Sequence, residues 1–97
     1  MQYVITAYDF TDEDALSRRM ANREAHLAGV KKLIAQGCFL SGGAILDDEG
    51  QMIGSTIHVA FESRSALNEW IDQDPYTLGR VWENVDIREV RLVPLDA

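Results

Sequence analysis

Residues 38–61 read CFLSGGAILDDEGQMIGSTIHVAF, two segments rich in β-branched and apolar residues around a short acidic turn. Residues 38–46 predict one strand, which is interrupted by Gly42 and Gly43. Residues 52–61 predict a second strand, and residues 47–50 (DDEG) between them are typical of a hairpin loop. The centre of the chain is therefore predicted to be an antiparallel hairpin.

A helix and a strand flank this hairpin on each side. Upstream, residues 2–10 predict a strand, and apolar residues at helical spacing predict a long helix over about residues 12–36. Downstream, Ser63 is a suitable N-cap for a short helix that ends near Asp74, where a further turn up to Val81 is expected to begin. Residues 83–93 predict the last strand. The order βαββαβ is the ferredoxin-like arrangement, an α+β fold in which an antiparallel four-stranded sheet carries two helices on one face.

Size, charge and cysteine content exclude several classes of protein. The 97 residues are 46% hydrophobic with a net charge of −7, which predicts one soluble domain over residues 1–97. The negative charge argues against nucleic acid and anionic membranes as partners. Neither a membrane span nor a signal peptide is visible, and the single Cys38 cannot form an internal disulfide, so we expect a cytoplasmic protein. The scattered histidines and cysteine predict no metal site.

The predicted sheet has apolar residues on both faces. In the first strand, Tyr3 and Ile5 point to one side, and Val4 and Tyr8 point to the other. Two helices cover only one face of a four-stranded sheet, so a lone chain leaves an apolar face in water. We therefore expect a homodimer with the two sheets packed face to face. The alternative is a monomer with a mildly apolar open face.

His26 is the first candidate for chemistry. It lies in the middle of the long predicted helix, at the border of its apolar stripe, with Arg19 and Arg23 seven and three residues before it. A histidine at this position can point into a pocket between helix and sheet, where imidazole is suited to general acid or base catalysis. The alternative is a half-buried histidine that serves only in packing.

Asp74 is the second candidate, and it precedes Pro75 and Tyr76. A simple alternative explains Asp-Pro, because Asp is a good N-cap and Pro is favoured at the first helical position. If both helices start at the same edge of the sheet, His26 lies roughly 21 Å along the first helix and Asp74 roughly 16 Å along the second. Their similar depth on neighbouring helices permits a carboxylate–imidazole contact.

Glycine and serine residues of the hairpin are candidates for the wall of a pocket. Gly42 and Gly54 lie in the two hairpin strands, where glycine marks either a bulge or the close approach of a ligand or a neighbouring backbone. Ser41 and Ser55 are candidates to donate hydrogen bonds to a bound anion. Arg23 is suited to bind a substrate carboxylate, although pairing with a surface acid is the commoner case.

The order and spacing of these features resemble the YCII-related (YciI-like) family over essentially the whole chain. The matching features are Tyr3-Val4-Ile5 in the first strand, Arg23-x-x-His26-Leu27, Ser41-Gly42-Gly43, Gly54-Ser55, and Asp74-Pro75-Tyr76. The resemblance implies a dimeric α+β barrel of ferredoxin-like subunits, with a pocket in which His26 and Asp74 face each other. Many members carry Gly-Pro in the second strand, where this chain has either Gly42-Gly43 or Gly43-Ala44.

The resemblance and the residues together predict a small enzyme that acts without a cofactor on a small polar or aromatic metabolite. His26 and Asp74 would form a general acid–base pair, and the expected substrate-binding residues are Arg23, Ser41, Gly42, Ser55 and Tyr76. Lyase, isomerase and hydrolase reactions stay open, and one branch of the family is associated with dehydrochlorinase-like activity. A non-catalytic module that binds a metabolite or protein is the alternative. A cofactor-free monooxygenase or haem-associated protein is a further alternative, by fold analogy alone.

Overall fold

The computed structural model describes residues 1–96, and the predicted order of strands and helices is confirmed, with one additional short helix before the last strand. The elements are β1 (Gln2–Asp9), α1 (Ala15–Ala35), β2 (Phe39–Leu46), β3 (Met52–Ala60), α2 (Arg64–Gln73), α3 (Pro75–Leu78) and β4 (Trp82–Val90). The fold is therefore the ferredoxin-like α+β arrangement.

The start of α1 differs from the predicted start near residue 12. The Asp12 carboxylate accepts hydrogen bonds from the backbone N–H of Asp14 and from the guanidinium of Arg18. These bonds hold residues 12–14 in a turn, so the helix begins at Ala15. At the other end of α1, Gly37 has a φ of 74°, a left-handed conformation that glycine adopts without strain.

The four strands form one antiparallel sheet in the order β2-β3-β1-β4. At the junction of β1 and β3, Gly54 lies so close to the neighbouring strand that a Cβ atom would collide with the carbonyl oxygen of Ala7. Glycine at this position therefore permits the close approach of the two central strands.

The core lies between the helices and one face of the sheet. Alternate residues of the two central strands point towards the helices, as expected for a half-covered sheet. The main buried side chains are Tyr3, Ile5, Ala7, Ile57 and Val59 from the sheet and Leu67, Ile71 and Tyr76 from the helices. Each fully buried aliphatic side chain contributes about 1.5–3 kcal/mol relative to an exposed one.

The expectation that both helices start at the same edge of the sheet is wrong. Helix α1 follows β1 and α2 follows β3, and these two strands are antiparallel. The helices therefore begin at opposite ends of the sheet. His26 lies roughly 16 Å from the start of α1. Asp74 directly follows α2 and lies roughly 15 Å from the start of that helix, which is at the other end of the sheet. The two residues meet because the helices approach each other from opposite ends.

The face of the sheet away from the helices is only partly apolar. Val4 and Ile45 are half-buried and Tyr8 is 48% exposed, and the polar residues Thr56 and His58 lie between them. None of the helices within residues 1–96 is long and apolar enough to cross a membrane.

Candidate active site

The side chains of His26 and Asp74 form a buried pair. Nδ1 of His26 lies 2.8 Å from Oδ2 of Asp74, and the two side chains are 8% and 1% exposed. Asp74 is held between α2 and α3 in an extended conformation, and its Oδ2 also accepts a hydrogen bond of 3.0 Å from the backbone N–H of Tyr76. Asp74 is therefore both the N-cap of α3 and the hydrogen-bond partner of His26.

Aromatic side chains fix the plane of the His26 ring. The ring is stacked on Tyr76, with centroids 3.9 Å apart and planes 9° apart. Trp82 contacts it edge-on at 5.8 Å. An ionised Asp74 only accepts hydrogen bonds, so the neutral imidazole carries its proton on Nδ1 in this arrangement. That assignment leaves the lone pair on Nε2, which is the nitrogen that can act as a base.

His26 borders a cavity of about 140 Å³ between α1 and the β2–β3 hairpin. Of the other predicted site residues, Arg23, Gly42, Ser55 and Tyr76 also line this cavity, whereas Asp74 lies behind His26. The remaining lining residues are Arg19, Leu27, Val30, Phe39, Gly43, Ala44, Met52 and Ile57. The lining is apolar and aromatic with two guanidinium groups and, among these residues, no carboxylate, so it favours a small ligand that carries hydrogen-bond acceptors.

The structure does not bring Ser41 into this site. Ser41 pairs with His58 across the β2–β3 ladder, and its Oγ lies 2.9 Å from Nδ1 of His58 on the exposed side. Ser55 and Ile57 point to the helix side, so the alternation of side chains puts the His58 row on the opposite face. A register shift between Phe39 and Ser41 sets this orientation, and a pattern of residues alone does not reveal such a shift.

The sequence alone did not predict the buried polar network next to the cavity. Nη1 of Arg19 donates to both carboxylate oxygens of Asp9, at 2.9 and 3.0 Å, and its Nη2 donates to Ser55 Oγ at 3.0 Å. Trp82 Nε1 donates to the same Ser55 Oγ at 3.1 Å. The sequence does contain one indication of this network, because Asp9 lies on the same face of β1 as the buried residues Ile5 and Ala7. A carboxylate at the end of a buried strand face needs a partner.

Burial affects the ionisation of two groups in this region. Burial raises the pKa of the Asp9 carboxyl, and the hydrogen bond and the charge of Arg19 offset only part of that rise. Burial also raises the pKa of Tyr76, although the charges of Arg19 and Arg23 act in the opposite direction. The Tyr76 phenol therefore stays protonated at neutral pH and remains a hydrogen-bond donor.

Similarity to known proteins identifies the family. A model of the YCII-related domain matches residues 1–91. An uncharacterised protein of Haemophilus influenzae and Protein YciI of Escherichia coli are each 36% identical over 99 residues, covering 96% of this chain and 99% of the relative. The chain belongs to the YCII-related family.

Solved structures agree with this membership. The YCII-related chain is similar to 5-chloro-2-hydroxyhydroquinone dehydrochlorinase from Burkholderia phenoliruptrix, solved in complex with 2,5-dihydroxybenzoquinone, with a TM-score of 0.81, 26% identity and 94% coverage of both chains. An antibiotic biosynthesis monooxygenase shares the fold, with a TM-score of 0.57, 18% identity and coverage of 97% and 100%. Fold similarity to the monooxygenase says nothing of the reaction.

Proposed function

We propose that this YCII-related chain is a small enzyme in which the His26–Asp74 pair transfers a proton to and from a small metabolite. The observation that carries the proposal is the 2.8 Å contact between His26 Nδ1 and Asp74 Oδ2 beside a cavity. Asp74 orients the ring and stabilises the imidazolium that forms when Nε2 accepts a proton. Such a step needs a positioned base and nearby donors, and these side chains supply both.

The cavity supports a substrate with one six-membered ring. Its volume of about 140 Å³ is close to that of an engineered apolar cavity of about 150 Å³ that binds benzene. Arg23 is exposed and lines the cavity, so it is placed to bind a negatively charged group of the substrate. The similarity to a dehydrochlorinase supports an elimination, in which His26 removes a proton and a leaving group departs with its bonding electrons. Isomerases and some hydrolases share the first step.

The proposal is tested by proton exchange, which does not depend on the leaving group. Hydroxylated aromatic compounds are incubated with the protein in deuterium oxide, and ring deuteration is followed by NMR. We expect exchange with the wild-type protein and its loss in His26→Ala. Lys31→Ala is the control, because Lys31 is an exposed residue of the same helix, α1, and does not line the cavity. Undiminished exchange in His26→Ala would contradict the proposal, as would its loss in both variants to the same extent.

The open face of the sheet supports a further proposal, that the protein acts as a homodimer. Val4, Tyr8 and Ile45 place apolar surface on the side that the helices do not cover. A second copy packed sheet to sheet would remove this surface from water. Analytical ultracentrifugation should give twice the mass of the chain for the wild type and a monomer for Val4→Asp. A monomeric wild-type protein would contradict the proposal.

A further inference from the structure

The Ser55 hydroxyl has both of its acceptor positions occupied. Arg19 Nη2 and Trp82 Nε1 donate to Ser55 Oγ at 3.0 and 3.1 Å. A guanidinium and an indole N–H only donate, whereas a serine hydroxyl has two acceptor lone pairs and one hydrogen. The hydrogen of Ser55 must therefore point away from both donors. Within residues 1–96 it has no acceptor, and the Ser55 side chain lines the cavity.

The two donors cannot turn away from Ser55. Arg19 is held by both oxygens of Asp9, and the side chains of this pair are 4% and 5% exposed. Trp82 is 6% exposed and belongs to the core. The guanidinium group of an arginine is positively charged in proteins. The charge polarises the hydroxyl that it contacts and makes Ser55 a stronger donor towards the cavity.

Arg19 gives a second indication that the cavity wall around Ser55 lacks a hydrogen-bond acceptor. Its Nε–H is buried and has no hydrogen-bond partner in the described part of the chain. Buried donors without an acceptor are rare in native proteins and are costly. Arg19 lines the same cavity as Ser55, and none of the described residues that line it carries a carboxylate. The cavity is therefore bordered by groups that donate hydrogen bonds.

We infer that Ser55 is the oxyanion donor of the site, and that Asp9, Arg19 and Trp82 are positioning residues that fix the direction of its proton. The inference rests on the proposed proton transfer. When His26 Nε2 takes a proton from the substrate, the electron pair left behind moves onto a conjugated oxygen, and the Ser55 O–H stabilises that oxygen. The substrate class is thus a phenol, hydroxyquinone or enolisable ketone, whose oxygen gains negative charge in the reaction.

The test measures how strongly the cavity prefers an oxyanion, with 4-nitrophenol as a coloured probe. The ratio of the dissociation constants of the neutral phenol and the phenolate is obtained from absorbance titrations over a range of pH. Removing one hydrogen bond to a charged oxygen should reduce this preference by roughly tenfold or more in Ser55→Ala. Ser65→Ala is the matched control, because Ser65 is an exposed residue of α2 that does not line the cavity.

A second variant keeps the test decisive if Ser55→Ala is unstable, since that change leaves two buried donors without an acceptor. Trp82→Phe retains Ser55 but frees one lone pair, so the hydroxyl can turn, and we expect the phenolate preference to fall severalfold. A crystal structure with 4-nitrophenolate should place its oxygen about 2.5–2.7 Å from Ser55 Oγ. A phenolate oxygen bound by Arg23 alone would overturn the inference.

The two proposals fail in different ways. An unchanged phenolate preference in both Ser55→Ala and Trp82→Phe would overturn the oxyanion inference, and loss of proton exchange in His26→Ala would still support the acid–base proposal. Undiminished exchange in His26→Ala would instead contradict the proposed function, whatever the phenolate preference.

Discussion

The ring of Tyr76 lies parallel to that of His26, with centroids 3.9 Å apart, and the guanidinium carbon of Arg19 lies 4.8 Å from the centroid of the same tyrosine. Tyr76 thus joins the His26–Asp74 pair to the Asp9–Arg19–Ser55 network. The stacking sets the plane of the imidazole, and Asp74 sets its rotation within that plane. Together these contacts preorganise the ring before any substrate binds.

Asp74→Asn separates the charge of the residue from its role as a cap. Asparagine still accepts a hydrogen bond from Tyr76 N–H and is a good N-cap, so stability should change little. The imidazolium loses its negative partner, and we expect proton exchange to slow by about a hundredfold or more. The measurement is the exchange rate together with a urea unfolding curve.

Asp74→Ala is the companion variant, since it removes both functions. It should slow exchange and also cost about 1 kcal/mol or more through the lost cap. Exchange in Asp74→Asn at the wild-type rate would show that the carboxylate charge is not needed.

Asp9→Asn tests the buried ion pair. The change leaves the Arg19 guanidinium buried without its carboxylate, and breaking such a pair typically costs 3–5 kcal/mol, so we expect a loss of about that size. The control is Asp12→Asn at the exposed pair with Arg18, which should change stability little. Urea unfolding measures both, and equal effects at the two sites would contradict the assigned role of the buried pair.

Tyr76 makes stability sensitive to alkaline pH. Burial raises the pKa of its phenol above its ordinary value of 10.0. An acid whose pKa is raised on folding contributes stability that is present below its unfolded pKa and is lost as the pH rises through the folded one. The free energy of unfolding should therefore fall above about pH 10, and less so in Tyr76→Phe, which keeps the stacked ring. An equal fall in the wild type and in Tyr76→Phe would contradict the role assigned to this phenol.

Gly54→Ala tests the close approach of the central strands. Because a Cβ atom at this position meets the backbone oxygen of Ala7, the strands must separate, and we expect a loss of about 1–3 kcal/mol. Gly43→Ala is the matched control, since a Cβ there meets nothing within 4 Å. Thermal unfolding measures both, and equal melting temperatures for the two variants would contradict the packing argument.

Local patterns predict the elements of this fold, but long-range geometry does not follow from them. Alternation in β1 and the hairpin loop identify the strands, and Ser63 marks the start of α2. The orientation of Ser41 depends on a shifted register, which an unaligned strand pattern does not show. Arg19 meets Ser55 across 36 positions in the sequence, so only the packed chain brings them together. The His26–Asp74 contact was predicted, although the helix directions used to argue for it were wrong.

The most direct test of the central claim is the tautomer of His26, read from long-range proton–nitrogen NMR of the ring when it is neutral. We expect Nδ1 to carry the proton and to donate it to Asp74, which leaves the lone pair on Nε2. The same spectra of Asp74→Ala should show that this proton is no longer protected from exchange with water. A wild-type ring that carries its proton on Nε2 would contradict the proposed acid–base role of His26, because Asp74 would then lack a hydrogen-bond donor and Nε2 would have no free lone pair.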